Sequence, residues 1–211
     1  GLGDVYKRQL FVAAGSCILG TFLVILTAYT MSRFTFAARK PVMKITMVLG
    51  MFPSFMGMIA VYLLMTQFNL INHLWGLILI YSAGAPMGYL TQKGFFDTIP
   101  KAIDEAARID GCGYVQTWMK VIFPIARPGI MTAAVLAFLN NWNEYYWASL
   151  VLITREKLTV PALLSTFTTA FNTNYNGLFS AMVIIILPPV LLYCIFSRFF
   201  IEALSGGAVK G

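Results

Sequence analysis

The sequence predicts an all-α, polytopic membrane protein, and three observations carry that expectation. Hydrophobic residues make up 59% of the chain and charged ones 11%, with a mean hydropathy of +0.76, against roughly 25% charged in an ordinary soluble domain. The apolar residues fall into five runs, each near the length of about 20 residues that a helix needs to cross roughly 30 Å of hydrocarbon. Basic residues gather in alternate loops, the asymmetry that orients spans.

The opening GLGDVYKRQ stands apart. It places Lys7 and Arg8 on the side where the other loops are poor in charge, and DVYKRQ resembles the translation of a transposon end used in library preparation. Residues 1–9 are therefore expected to be a non-native leader, with a genuine polar start as the alternative. With no initiator Met and no signal-peptide pattern, the chain is expected to lack its true N-terminus.

The spans run in order. Leu10 to Met31 is the first, and the segment after it, Met31 to Lys44, holds Arg33, Arg39, Lys40 and Lys44, so it is expected in the cytoplasm. Val42 to Met65 is the second, with Pro53 and Gly57 as kinks. Thr66 to His73 has no Lys or Arg and lies outside; His73, beside Trp75, suits an interface. Leu74 to Leu90 is shorter and carries Gly84, Pro86 and Gly88, which predicts a kinked helix whose freed backbone is satisfied by protein neighbours.

Thr91 to Pro128 is then the longest cytoplasmic loop, with Lys93, Lys101, Arg108, Lys120 and Arg127. Gly129 to Ile153 is the fourth run. The outer loop Thr154 to Gly177 holds only Arg155 and Lys157, and its Val160, Leu163, Leu164, Phe167 and Phe171 fall at near-helical spacing. That spacing fits a re-entrant or interfacial helix, or packing against a partner. Phe179 to Phe200 is the fifth run, through Pro188 and Pro189, and the C-terminus with Arg198 and Lys210 falls inside.

Several function classes recede. The net charge of +7 is scattered between apolar runs, which suits orientation signals and not nucleic acid. Cys17, Cys112 and Cys194 show neither a paired framework nor metal spacing and are expected as small core fillers. No catalytic constellation recurs at one membrane depth, and the phosphate-cradling pattern GxxxxGK[ST] does not occur.

The stretch EAARIDGCGYVQTWMKVIFP, residues 105–124, is a polar helix-turn-helix pattern inside the long loop. Pro100 suits a first helical turn, Asp104 and Glu105 lie near the positive helix start, and Arg108 sits four residues after Asp104. Gly111 ends the helix, Gly113 permits a tight turn, a second helical segment covers Tyr114 to Val121, and Pro124 marks the return to the membrane. Small residues, Ala102, Ala106 and Ala107, leave much of the first helix open to a close partner, as in helix-in-groove recognition. A helix that merely covers the bundle is the alternative.

These residues resemble a known family. Glu105-Ala106-Ala107, then Gly111, then Val121-Ile122-Phe123-Pro124 resembles the cytoplasmic EAA loop of permease subunits in binding-protein-dependent ABC importers, with Val121 and Phe123 in place of that pattern's Ile and Leu. GFFDTIPKAIDEAARIDG, NNWNEYYWASLVL, LTVPALL and GGAVKG are similar to the carbohydrate branch, the maltose-type permease, over nearly all of Leu10 to Gly211. The resemblance implies a type I importer (MetI-like) fold over residues 10–211, with the coupling loop at about 91–128. Six spans are usual there, so the five visible would lack the first.

The resemblance also implies a role for each part. The helix from about Pro100 to Asp110 would seat in a cleft of a cytoplasmic ATPase, so Glu105, Ala106, Ala107, Arg108, Asp110, Gly111 and Pro124 are the expected coupling residues. Partners would be a second permease subunit, an ATPase dimer, an extracytoplasmic sugar-binding protein and the bilayer. ATP and Mg would bind the ATPase, with no cofactor on this chain, which is expected to be a non-catalytic subunit of the bacterial inner membrane.

One polar cluster interrupts the fourth run. Asn140 lies about 16 Å into it at 1.5 Å per residue, and polar groups at that depth are functional candidates. Asn140, Asn141, Asn143 and Glu144 with Tyr145 offer the amides and aromatic faces that a sugar needs, so they are the candidate translocation path. An interfacial belt including Trp142, Tyr146 and Trp147, or a contact with the partner subunit, remains open. An ion-coupled secondary transporter is the rival class, though Glu144 is the sole buried acid candidate and no repeat is visible. A permease for a solute other than sugar is the nearer alternative.

Overall fold

The computed structural model describes residues 2–83, 86–167 and 175–208, and every regular element among them is helical. The order is α1 (Leu2–Arg33), α2 (Arg39–Met51), α3 (Met58–Gln67), α4 (Leu74–Ser82), α5 (Pro86–Asp97), α6 (Ala102–Ile109), α7 (Tyr114–Thr117), α8 (Phe123–Asn143), α9 (Tyr146–Val151), α10 (Val160–Leu164) and α11 (Tyr175–Ala208). Three stretches are long and apolar enough to cross a membrane: Gly3–Arg33, Tyr114–Asn143 and Tyr175–Ser197. Only 6% of the apolar window in the last is buried within the chain, an exposure that suits lipid or another subunit and not water.

The other expected runs are helical but interrupted. Val42 to Met65 is split because Pro53 comes directly after Phe52: Phe52 adopts φ −85, ψ 138, the extended conformation that a succeeding proline ring imposes. A 3-10 turn, Ser54–Gly57, then leads into α3. Leu74 to Leu90 is split between Ser82 and Pro86, where Pro86 opens α5 at the helical position that needs no amide donor. Gly84, expected to contribute to that kink, lies outside the described residues. α11 runs through Pro188 and Pro189 as one helix.

The fourth run differs more. Helix begins at Tyr114 and continues to Asn143, so Pro124, where the return to the membrane is expected, lies inside a continuous helical stretch. The reason is a π-helical turn, Trp118–Ile122. The Phe123 amide reaches back to the Trp118 carbonyl, and the next residue, Pro124, has no amide to continue the ladder; the widened register accommodates it.

The chain divides into two compact units. The first comprises Gly1–Gly20, Pro53–Ala83 and Val135–Ile195. Its main core is Val12, Leu77, Ile78, Ala148, Val151, Leu152 and Ala162, with Ala13, Phe138 and Trp142 as a second cluster. Val5 and Gln9, inside the expected leader, are buried in this unit. In the outer loop, α10 buries Val160 and Ala162, so that segment packs partly as core; Phe171 lies outside the described residues.

The second unit comprises Thr21–Phe52, Gly84–Ala134 and Phe196–Gly211. Its core is built on Ile25, Ala28, Tyr29, Phe96, Ile99, Ile122, Ala126 and Ile130. Phe95 covers Gly129 so closely that a Cβ there would sit 2.6 Å from the ring, which only glycine permits. Trp118 packs against Tyr29, centroids 4.6 Å apart, and against Phe96 at 5.7 Å. Of the cysteines expected as core fillers, Cys17 is half-buried and packs against the Ala13, Phe138 and Trp142 cluster, whereas Cys112 is half-buried and Cys194 is exposed.

Candidate functional site: the α6 loop and the polar end of α8

α6 is formed as its residues dictate. Asp104 and Glu105 occupy its first turn and Arg108 its last, charges that complement the helix dipole. Its C-terminus is a complete Schellman motif: the Cys112 amide donates to Ala107 C=O at 2.9 Å and the Gly111 amide to Arg108 C=O at 3.0 Å. Gly111 has φ +82, the left-handed position this motif requires and glycine occupies without steric cost. Gly113 does not make the tight turn expected of it. Its φ of −69 and ψ of 168 are open to any residue, and it heads α7 with its amide bonded to Gln116 Oε1 at 3.2 Å.

The small-residue surface read from the sequence is divided by the helix. Ala102, Glu105, Ala106, Arg108 and Ile109 are exposed, as are Asp110, Gly111 and Pro124, whereas Ala107 faces inward with Asp104. Ile109 is 87% exposed, a large apolar residue at the end of an otherwise small face. The Arg108 guanidinium lies 4.6 Å from the centre of the Tyr114 ring, which fixes it beside that face.

The inward side holds residues that sequence reasoning missed. Arg33 Nε lies 3.0 Å from Asp104 Oδ2 as an ion pair, with side chains 6% and 12% exposed. Tyr29 Oη donates to Asp104 Oδ1 at 3.0 Å, and an Arg33 amino group donates to Ile99 C=O at 3.0 Å. Ser32 donates to Asp97 Oδ1 at 2.6 Å and Lys93 to Asp97 Oδ2 at 2.5 Å. Burial works to raise the Asp97 carboxyl, but these hydrogen bonds and the Lys93 and Arg39 charges outweigh it and hold it below the ordinary carboxylate value. The cavity beside α6, about 100 Å³ and lined by Tyr29, Arg33, Asp104 and Glu105 among others, is well short of the roughly 300 Å³ of a small-molecule site.

The cluster at the end of α8 sorts into two groups. Asn140, Asn143 and Tyr145 are exposed on the isolated chain, and Asn143 Nδ2 donates to its own helix, at Leu139 C=O. Asn141 Nδ2 instead donates to Ser16 Oγ at 2.9 Å, and Trp142 is fully buried with its indole N–H on Ile185 C=O. Glu144 is held internally: Tyr81 Oη donates to Oε2 at 2.6 Å, and the Trp147 and Ala148 amides at the start of α9 donate to the same carboxylate at 3.0 to 3.3 Å. Glu144 thus satisfies the backbone that the break between α8 and α9 exposes.

Elsewhere in the first unit, Asn72 joins two loops. In a left-handed conformation, φ +62, its Oδ1 accepts from the Ile153 and Thr154 amides and the Thr154 hydroxyl, while its own amide donates to Val151 C=O at 2.8 Å. The sequence signal for it is slight, an asparagine between Ile71 and His73, though Asn is among the few residues that tolerate this conformation.

Among the described residues, helices of membrane-spanning length, a loop helix ending in an exposed turn and polar groups at the end of a span define a polytopic helical membrane protein. Residues 20–206 match the binding-protein-dependent transport system inner membrane component, and the chain belongs to that family. It is 31% identical to the maltodextrin transport system permease protein MalD of Streptococcus pneumoniae, over 99% of this chain and 75% of that one. It is also 31% identical to the maltodextrin permease MdxG and to the galactooligosaccharide permease GanQ of Bacillus subtilis, covering 98% and 97% of this chain and 75% and 72% of theirs.

Two solved structures share the fold. A bacterial ABC transporter that imports the acidic polysaccharide alginate aligns with a TM-score of 0.82 at 22% identity, over 93% of this chain and 74% of that one. The MetNI methionine ABC transporter aligns at 0.68 and 18% identity, over 93% of each chain. The MetI-like helical permease fold expected from the sequence is therefore the one observed. The chain is a membrane subunit of an ABC importer and not an enzyme.

Proposed function

We propose that this chain forms half of the translocation pathway of an ATP-driven oligosaccharide importer of the bacterial inner membrane. The observation that carries the coupling role is α6: a short helix whose outward side carries the small residues Ala102 and Ala106 with Glu105 between them, ended by a left-handed turn at Gly111 and presenting Ile109 to a partner. In this reading α6 seats in a cleft of a cytoplasmic ATPase, with Glu105 and Arg108 at the rim. Closure of an ATPase dimer on Mg-ATP then moves α6 and the helices attached to it.

The sugar class rests on relatives named for maltodextrin, galactooligosaccharides, diacetylchitobiose and arabinooligosaccharides. A second permease subunit and an extracytoplasmic sugar-binding protein complete the importer. The loop at about 91–128 and the C-terminus lie in the cytoplasm, and the five apolar runs are spans, some of them broken. Asn140, Asn143 and Tyr145 line the path, where exposed amides and a phenol can bond hydroxyl groups in turn; Asn141 and Glu144 hold the helix ends that present them.

The test is uptake by the reconstituted complex, given labelled maltotriose, galactotriose, diacetylchitobiose and arabinotriose. ATP-dependent accumulation of at least one is expected. Uptake driven by an ion gradient without ATP, or transport of none of the four by an intact ATP-hydrolysing complex, would overturn the assignment.

A further inference from the structure

The carboxylates of Asp104 and Glu105 are neighbours in sequence but face opposite ways: Glu105 is exposed, whereas Asp104 turns into the protein, its Oδ1 hydrogen-bonded and its Oδ2 held by the arginine's charge alone. Tyr29 takes one oxygen and Arg33 the other, each at 3.0 Å. Arg33 also grips the Ile99 carbonyl, just ahead of Pro100 and α6. One side chain at the end of α1 therefore holds both the entry to α6 and its first turn. The residue before it, Ser32, bonds Asp97 at the end of α5, which Lys93 secures from the same helix.

We propose that Arg33, Asp104 and Tyr29 form a buried linkage that fixes α6 to the last turn of α1, so that a displacement of α6 is carried into α1. The proposal rests on the reading of α6 as the coupling helix. A buried ion pair is a poor choice for stability alone, because desolvating both charges costs as much as their attraction returns, and apolar side chains of similar volume would hold the helices as well. What the pair adds is direction. The hydrogen bonds from Tyr29 to Asp104 and from Arg33 to Ile99 each have a favoured geometry, and sliding either helix past the other would separate the two charges in a site that is 6% exposed on the Arg33 side. An apolar contact tolerates such sliding far better.

That difference defines the experiment. In the complete reconstituted importer, the variant carrying Arg33→Met with Asp104→Leu removes both charges and leaves none unpaired. It is expected to assemble, with a lower melting temperature because the Tyr29 hydroxyl and the Ile99 carbonyl lose their partners, while oligosaccharide uptake per ATP hydrolysed falls about tenfold, the scale of a typical coupling free energy. A wild-type ratio in this assembled variant overturns the linkage. If it does not assemble, Tyr29→Phe decides, since it deletes one hydrogen bond and leaves the ion pair: a fall of about twofold or more in the same ratio supports the linkage, and no change overturns it. Gly111→Val serves as the control. If it uncouples while the linkage variants do not, only the linkage fails; if neither uncouples, the coupling role of α6 fails beneath it.

Discussion

Replacing Gly111 tests the coupling geometry most directly, because the structure isolates one cause for the effect. A Cβ built at Gly111 meets nothing within 4 Å, so no steric clash with neighbours enters. The whole cost is backbone: φ is +82, where an ordinary L-residue is disfavoured by about 1–2 kcal/mol, and a β-branched one by up to about 3 kcal/mol. The chain can escape this only by surrendering the Cys112 to Ala107 and Gly111 to Arg108 hydrogen bonds, which frays the turn holding Ile109. Since about 1.4 kcal/mol is tenfold in an equilibrium, Gly111→Val should leave the seated form of α6 at least about tenfold depleted. Gly111→Asn, which tolerates the left-handed region, should be the mildest change, with Ala next and Val the most severe. The assay is uptake per ATP hydrolysed by the assembled importer in proteoliposomes. Gly113→Val is the matched control, expected to be silent because that residue is extended and has open space around it. A wild-type ratio for Gly111→Val in a complete complex, or equal losses at both glycines, would refute the reasoning.

Asn143→Leu should lower sugar uptake with the complex's melting temperature unchanged, whereas Asn141→Leu should lower the melting temperature first, because it breaks the bond to Ser16 within the chain, a loss of about 1 kcal/mol or more; thermal melting and uptake measured side by side separate the two. Glu144→Gln should be milder than Glu144→Leu in thermal stability of the purified complex, since an amide can still accept from Tyr81 and the α9 amides; equal effects would count against the capping role. In a background without native cysteines, a cysteine at position 113 should react only with reagent on the cytoplasmic side and one at Glu156 only from outside, and labelling of both from one face would end the topology. Asp97 titrates low when folded, so its contribution to stability is fully present above the ordinary carboxylate value and fades as pH falls below about 4; Asp97→Asn should flatten that part of the melting-temperature profile, and an unaltered profile would contradict it.

Legibility in the sequence tracks physical range. Gly111 could be found because a helix terminus is a local matter: the last turn, the glycine and the residues just past it lie within a few positions of each other. The splits at Pro53 and Pro86 were visible as kinks for the same reason, but whether a proline bends a helix or ends it depends on neighbours. The partners of the polar groups were not legible. Glu144 stood out as a carboxylate in an apolar run, yet the hydroxyl that holds it belongs to Tyr81, and the arginine that pairs with Asp104 belongs to α1. Helical periodicity separates Asp104 and Glu105 onto different faces and sets Ala107 with the former, whereas composition alone counts all three alanines as one small surface.

The π-helical turn at Trp118–Ile122 sets the angular phase of the helix beyond it. An α-helix advances about 100° per residue, and a π turn holds one residue more than an α turn, so the succeeding segment is rotated by about that angle relative to an unbroken helix. Ala126 and Ile130 are buried beside Ile122 in their unit because the turn has already dialled them there. Deleting a single residue between 118 and 122 would keep composition, length class and apolar content almost untouched while swinging those side chains about a quarter of a turn away from Phe96 and Ile99. In this helix, spacing is as much a part of the message as residue type.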